Sequence, residues 1–399
     1  MRIITRTVLI LSFVSLFADI ASEMLYPIIP VYLKEIGFSI VWIGILEGFV
    51  NFTAGVSKGY FGKLSDEKGI RLPFVKLGYF LSALSKPLIG FFVAPAWIFF
   101  VRTLDRLGKG IRTAAKDALL SAETTKENKA KVFGFNRALD TTGATIGPII
   151  ALVFLIFYPG EYKTLFYWAF IPGIISVLLV FLVKEKRQPV STMAKGSFFS
   201  FFKYWKIATK EYRNLVTGLL LFALFNSSDV FLLLKTKETI GDDTIKIFGS
   251  SFNSDTITIA AYIFYNFVWA IGSYPMGILA DRIGFKKIFI GGLILFAIAY
   301  AGFAFNPSIA VIFVLFSIYG LFSAATDGVS KAWITNIAHN QNTATAVGFY
   351  TSCQSICTLA ASTIAGLIWA TLGSSYTFIS TAVIAMLVLV FLGVRLKDE

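Results

Sequence analysis

Charge is scarce in this 399-residue chain. Asp, Glu, Lys and Arg make up 15% of it, where about a quarter is usual for a globular protein. Histidine and cysteine are scarcer still: one histidine, His339, and two cysteines, Cys353 and Cys357. A single histidine excludes an HExxH metal helix. The two cysteines stand one helical turn apart in an apolar run with no further ligand near, so they read as packing residues rather than as a metal or redox pair. No nucleophile elbow and no phosphate-binding loop occurs. The chain is therefore expected to be no enzyme and to need no metal or cofactor.

Apolar sequence fills the space that charge leaves. Hydrophobic residues are 56% of the chain, 41 of them Phe, and the mean hydropathy is +0.74. A helix needs about 20 apolar residues to cross a bilayer. Runs of that kind recur at roughly 5–33, 39–62, 74–93, 96–119, 131–157 and 164–183, and again at roughly 214–235, 256–280, 287–305, 308–333, 343–371 and 374–394. Backbone groups in lipid must bond within their own segment, which makes helix the default. No sustained ten-residue alternation suggests a barrel. The expected fold is an all-α integral membrane protein of about twelve helices.

The formal net charge of +13 would point to nucleic acid on a soluble protein. Here its placement points to the positive-inside rule. Lys63, Lys68, Arg71 and Lys76 follow the second run, and Lys184 to Arg213 fill a central break. Arg282, Lys286 and Lys287 follow the eighth run, and Arg395 and Lys397 follow the last. The opposite loops, such as Ala94-Pro95-Ala96 and Asn306-Pro307-Ser308, are short and uncharged. This predicts cytoplasmic termini in a cytoplasmic membrane, with the first run retained as a helix rather than cleaved as a signal peptide.

Residues 184–213 break the apolar pattern and divide the chain into bundles 1–183 and 214–399. Within the break, Gly196 to Lys206 mixes Phe, Tyr and Trp with Lys, the composition of a helix lying on a membrane surface. The bundles are related. Gly62, Leu64, Asp66 and Gly69 recur as Gly277, Leu279, Asp281 and Gly284, and Asn51-Phe52 as Asn266-Phe267. Lys116 maps onto Lys331 and Gly134-Phe135 onto Gly348-Phe349, all at an offset of about 215. Internal repeats of this kind put the substrate path between the halves.

The segment Gly62-Lys-Leu-Ser-Asp66-Glu-Lys-Gly69-Ile-Arg71 resembles motif A of the major facilitator superfamily (MFS), with a weaker copy from Gly277 through Asp281 to Lys286. Arg102-Thr-Leu-Asp105-Arg106-Leu-Gly108-Lys109-Gly110 resembles motif B, with Asp105, Arg106 and Lys109 where neutral residues are usual. Gly143-Ala-Thr-Ile-Gly147-Pro148 resembles the start of motif C of proton-coupled drug antiporters, whose later glycines are absent here. The resemblance covers nearly the whole chain. It implies two six-helix halves, alternating access, and a switch at Gly62, Asp66, Gly69, Arg71, Gly277 and Asp281.

Ionisable side chains at bilayer depth are costly and mark function by default. Arg102, Asp105, Arg106, Lys109, Arg112 and Lys116 fall in an arc of about 120° on the fourth helix. Such a face is expected to line the central path. Its surplus of cations suits an anionic substrate, since guanidinium groups grip carboxylate or phosphate. Asp19 and Glu23 share a face of the first helix, Glu47 lies in the second, and Asn226 and Asp229 are three apart in the seventh. Carboxyl groups in such surroundings can exchange protons. Proton coupling is therefore expected at Asp19, Glu23, Glu47 and Asp229. Substrate contacts are expected at Arg102 to Arg112, Arg137, Asn226, Asp327 and Lys331. The repeat sets Asp327 against Arg112, which suggests a cross-half ion pair.

The expected partners are a small anionic or amphiphilic solute, protons and the lipid bilayer, with no nucleic acid and a monomeric chain. Export by antiport is favoured over uptake by symport, with a lipid-handling protein as a remote alternative.

Overall fold

The computed structural model describes residues 4–395 except 27, 30, 31, 34, 35, 39, 159, 186–197, 242–244, 248, 249, 253 and 306. The first half contains α1 (Arg6–Glu23), α2 (Ile40–Lys68), α3 (Leu72–Leu88), α4 (Pro95–Ala122), α5 (Lys129–Phe157) and α6 (Tyr162–Val180). The second contains α7 (Lys210–Phe225), α8 (Val230–Ile240), α9 (Ser254–Ile283), α10 (Phe285–Phe303), α11 (Ile309–Ile337), α12 (Thr343–Leu372) and α13 (Ser374–Arg395). Between α8 and α9, β1 (Ile245–Ile247) and β2 (Ser250–Phe252) pair as a small antiparallel hairpin. The acids Asp242 and Asp243 and the side chain of Asp255 lie outside the described residues, as do the side chain of Glu47 and most of the 184–197 stretch.

Among the described residues, eight helical spans are long and apolar enough to cross a membrane. Hydropathy alone had suggested about twelve. Two helices miss that count for physical reasons: α4 carries Arg102, Asp105, Arg106, Lys109 and Arg112 within three turns, and α3 is only 17 residues long. Helices α3, α5, α6 and α9 run through Pro87, Pro148, Pro172 and Pro275.

One apolar run is broken. The stretch read as a single seventh helix stops at Phe225 and restarts at Val230. Asn226 caps the first piece with extended backbone (φ −84°, ψ 97°). Asn226 and Asp229 therefore sit at a helix break and not on one helical face. Broken backbone at membrane depth is tolerated where it borders a polar cavity, and these residues border one.

Within each half, helices pack around their own core. The halves meet mainly where α2 crosses α12 and where α5 crosses α9, with α5–α11 and α4–α12 adding contacts. The repeat explains this pairing. A Cβ added at Gly62 would lie 2.5 Å from the Ala344 carbonyl oxygen, and one at Gly277 would lie 2.4 Å from that of Ala130. Gly348 and Gly134 press in the same way on Lys58 and Ser273. Four repeat-related glycines thus bring four helices into backbone contact.

The motif aspartates complete the clasp at the same end. The Thr345 N–H and hydroxyl donate to Asp66 Oδ2 at 2.7 and 2.9 Å. The N–H groups of Ala130 and Lys131 donate to the two Asp281 oxygens at 2.8 and 2.7 Å. Each carboxylate meets the first turn of a helix in the opposite half, where free N–H groups and the helix dipole favour an anion. Arg71 Nη2 donates to Asp66 at 3.3 Å and Arg71 Nη1 to the Ala118 carbonyl at 3.1 Å. Gly69 (φ +63°) and Gly284 (φ +98°) make the turns with backbone that side chains resist.

After the undescribed stretch, residues 198–207 are helical. Phe201 is fully buried, with its ring against Gly59, while Phe199 and Ile207 are exposed.

Candidate functional site

A cavity of about 300 Å³ lies between the halves, inward from the clasp. Six cations line it: Lys58, Lys109, Arg112, Lys116, Arg137 and Lys331. Four carboxylates do as well: Asp19, Glu23, Asp140 and Asp327. A smaller cavity of about 170 Å³ is walled largely by the second half, with Tyr265, Trp269, Tyr319, Phe322 and Tyr350 around Asn226 and Asp229. Trp269, Asp327 and Gln354 border both.

Several of these charges are held by specific contacts. Arg137 Nη1 donates to Asp140 at 2.5 Å, its Nε lies 2.7 Å from Asp327 Oδ2, and its guanidinium stacks over Trp269 at 4.2 Å. Lys331 reaches Asp117 at 3.3 Å. The Arg137–Asp327 and Lys331–Asp117 pairs both join the two halves. Lys116 donates to Ser15 at 2.8 Å and lies 4.0 Å from Asp140. Arg112 stacks on Tyr79 at 4.0 Å. In the second half, the Tyr319 hydroxyl donates to Asp229 at 2.6 Å.

The sequence-expected residues divide on this geometry. Asp19, Glu23, Lys109, Arg112, Arg137, Asp327 and Lys331 line the charged cavity, while Asn226 and Asp229 line the aromatic one. Arg102, Asp105 and Arg106 border neither. Arg102 and Asp105 are buried inside the first half, where Ser82 and Lys86 donate to Asp105 at 2.6 and 2.9 Å. The charged face of α4 therefore splits: its second half opens to the cavity and its first half is tied to α3. The cross-half pair exists, but Asp327 meets Arg137 rather than Arg112. Gly143 and Gly147 face the α1 backbone, with the Leu16 and Ile20 carbonyls 2.4 and 2.8 Å from a Cβ built on each, so they set the close packing of α5 on α1.

Several lining residues escaped the sequence reading, among them Lys58, Tyr79, Tyr262, Tyr265 and Trp269. Lys58 carried a usable signal, since it is a cation within an apolar run. The aromatics carried none in a chain with 41 Phe and 16 Tyr. Among the described residues no group of three or more His, Cys, Asp or Glu gathers to hold a metal ion.

Two helical bundles, a clasp at one end and a charged cavity between them have the build of a membrane carrier. The Major Facilitator Superfamily model matches residues 11–252 and 244–399. An uncharacterized MFS-type transporter of Methanocaldococcus jannaschii is 32% identical over 97% of this chain and 94% of its own length. The multidrug resistance protein MdtG of Proteus mirabilis is 25% identical over 67% of this chain and 65% of its own. The Escherichia coli fucose:proton symporter FucP superposes with a TM-score of 0.77 at 11% identity, covering 98% of each chain. The human organic anion transporter MFSD10 superposes with a TM-score of 0.75 at 15% identity, covering 97% of this chain and 99% of that one. The chain belongs to the major facilitator superfamily and is a multi-pass membrane secondary transporter of small molecules.

Proposed function

We propose that this transporter moves a small organic anion or anionic amphiphile out of the cell in exchange for protons. The observation that carries the reading is the charge of the central cavity, where six cations face four carboxylates. In a low-dielectric cleft that surplus favours an anion. Arg112 and Lys109 are the main anion contacts, and Arg137 couples both walls through Asp140 and Asp327. Asp19 and Glu23 line the same cavity and carry the protons. In a cavity this crowded, protonating a carboxyl and binding an anion both change the same charge balance, so each event alters the free energy of the other.

Export rests on the likeness to MdtG, named as a multidrug resistance protein, and on the partial motif C at Gly143, Gly147 and Pro148. In this reading the clasped end, with Lys68, Arg71, Lys286 and Lys287, faces the cytoplasm of an inner membrane, as the positive-inside rule requires. The monomer is the working unit.

The test compares cells producing the wild type with cells producing the Asp19→Asn, Glu23→Gln double variant, by untargeted mass spectrometry of cells and medium. An anion enriched in the medium with the wild type alone supports export. An anion depleted from the medium with the wild type alone makes this an uptake symporter. In vesicles the double variant should lose proton-driven transport and keep counterflow; intact proton drive would remove Asp19 and Glu23 from the coupling role.

A further inference from the structure

We propose that the substrate is a single-tailed amphiphilic anion whose tail occupies a third, apolar cavity adjoining the charged one. This rests on the anion-transport reading above and narrows it. A cavity of about 640 Å³ lies at the end away from the clasp, between α1 and α5 of one half and α8 and α9 of the other. Leu152 and Leu155, Val230 and Leu233, and Ile259 and Ile263 form its walls.

Three observations tie this space to the substrate. The cavities share walls: Glu23 and Tyr262 border both this one and the charged one, and Asn226 and Asp229 border both this one and the aromatic one. Glu23 and Tyr262 thus stand between a molecule seated at Arg112 and Lys109 and this space, and its tail would reach the cavity past those two side chains. The cavity also lies between the two halves at the end that the clasp leaves open, so it closes when the halves rock and anything in it moves with the head. Finally, the polarity is divided. Cations sit on the inner side and aliphatic side chains on the outer side, which matches a head and a tail rather than a uniformly polar solute. Leu152, Val230 and Ile259 are each about half exposed (48, 47 and 48%), which leaves the lip open for a tail to enter. The volume falls in the range of about 300–1,000 Å³ typical of ligand pockets.

The test uses the full chain in phosphatidylcholine nanodiscs, with n-alkyl phosphates from butyl to dodecyl as probes. Binding is measured by calorimetry with empty-nanodisc heats subtracted. Burying a methylene tightens binding by about fourfold. Wild-type affinity should therefore climb about 100-fold or more from butyl to octyl phosphate. Leu233→Trp, which narrows the cavity, should make the series shallower and leave butyl phosphate unchanged. Ile259→Trp at the exposed lip gives the same readout if Leu233→Trp misfolds.

A series equally steep in the narrowed variants would overturn the proposal, because the gain would then come from the bilayer. A flat wild-type series with butyl phosphate still bound would also overturn it, and would mean that a lipid chain fills the cavity while the anion reading stands. If no alkyl phosphate of any length binds, the anion reading itself fails and takes this inference with it.

Discussion

The two walls of the central cavity come from halves related by one internal repeat, yet they differ in kind. The first half supplies Asp19, Glu23, Lys58, Lys109, Arg112, Lys116, Arg137 and Asp140. The second supplies Trp269, Asp327 and Lys331 to the same cavity and builds the aromatic cavity beside it from Tyr265, Tyr319, Phe322 and Tyr350 around Asp229. At the clasp the halves are almost interchangeable: Gly62 matches Gly277, Gly134 matches Gly348, and Asp66 and Asp281 each meet the first turn of a helix across the interface. The contrast separates two demands. A clasp must form and release as a unit, so its backbone contacts stay symmetric. A cavity needs one wall to hold charge and another to stack and donate, so its side chains diverge.

The largest effect tests the symmetry of the clasp. Gly62→Val and Gly277→Val each drive a side chain into a facing carbonyl oxygen, at 2.5 and 2.4 Å from the Cβ. Each should lower transport in vesicles more than tenfold and expose a cysteine placed at Thr345 or Lys131, respectively, to maleimide. Tolerance of one substitution but not the other would break the comparison.

Next comes the link between the walls. Arg137→Asp or Asp327→Arg should each cost up to about 3 kcal/mol, since the pair is only partly exposed, and slow transport at least tenfold. The double swap should recover most of the rate; no recovery would mean that the pair does not couple the walls. A smaller loss is expected at Tyr319→Phe, which removes one hydrogen bond to a carboxyl group, worth about 1.5 kcal/mol or roughly tenfold in substrate affinity. Its proton dependence should stay that of the wild type, whereas Asp19→Asn should shift it. A proton-dependence change at Tyr319→Phe would spread coupling to both walls. The smallest effect is Cys357→Ser, on a half-buried thiol that borders neither central cavity, which should leave transport within about twofold.

Much of the fold was legible in the sequence. Length and apolarity of each run declared helices in lipid, and the offset of 215 declared the halves before any contact was seen. The break at Asn226 to Asp229 was less legible, because polar residues in an apolar run fit equally well on a helix face or at an interruption. The site was legible in part. Charges within apolar runs flagged Asp19, Glu23, Lys109, Arg112, Arg137 and Asp327, and the same rule applied to Lys58 and Lys86 would have added a cavity cation and the partner of Asp105. Arg102 and Asp105 shared a helix face with Arg112 and still ended elsewhere.

The sequence by itself determined that this chain crosses a membrane as helices, that it is built twice, and that it keeps charge along its interior. Those properties follow from local composition and from a repeat distance, both of which can be counted along a line. Only the tertiary structure decided which charges meet, where α4 turns from the cavity toward α3, that Asp327 chooses Arg137 over Arg112, and that an apolar chamber adjoins the charged one. A helical period fixes the angles between side chains on one helix. It leaves free the rotation and height of that helix against its neighbours, and those are set by packing between the helices.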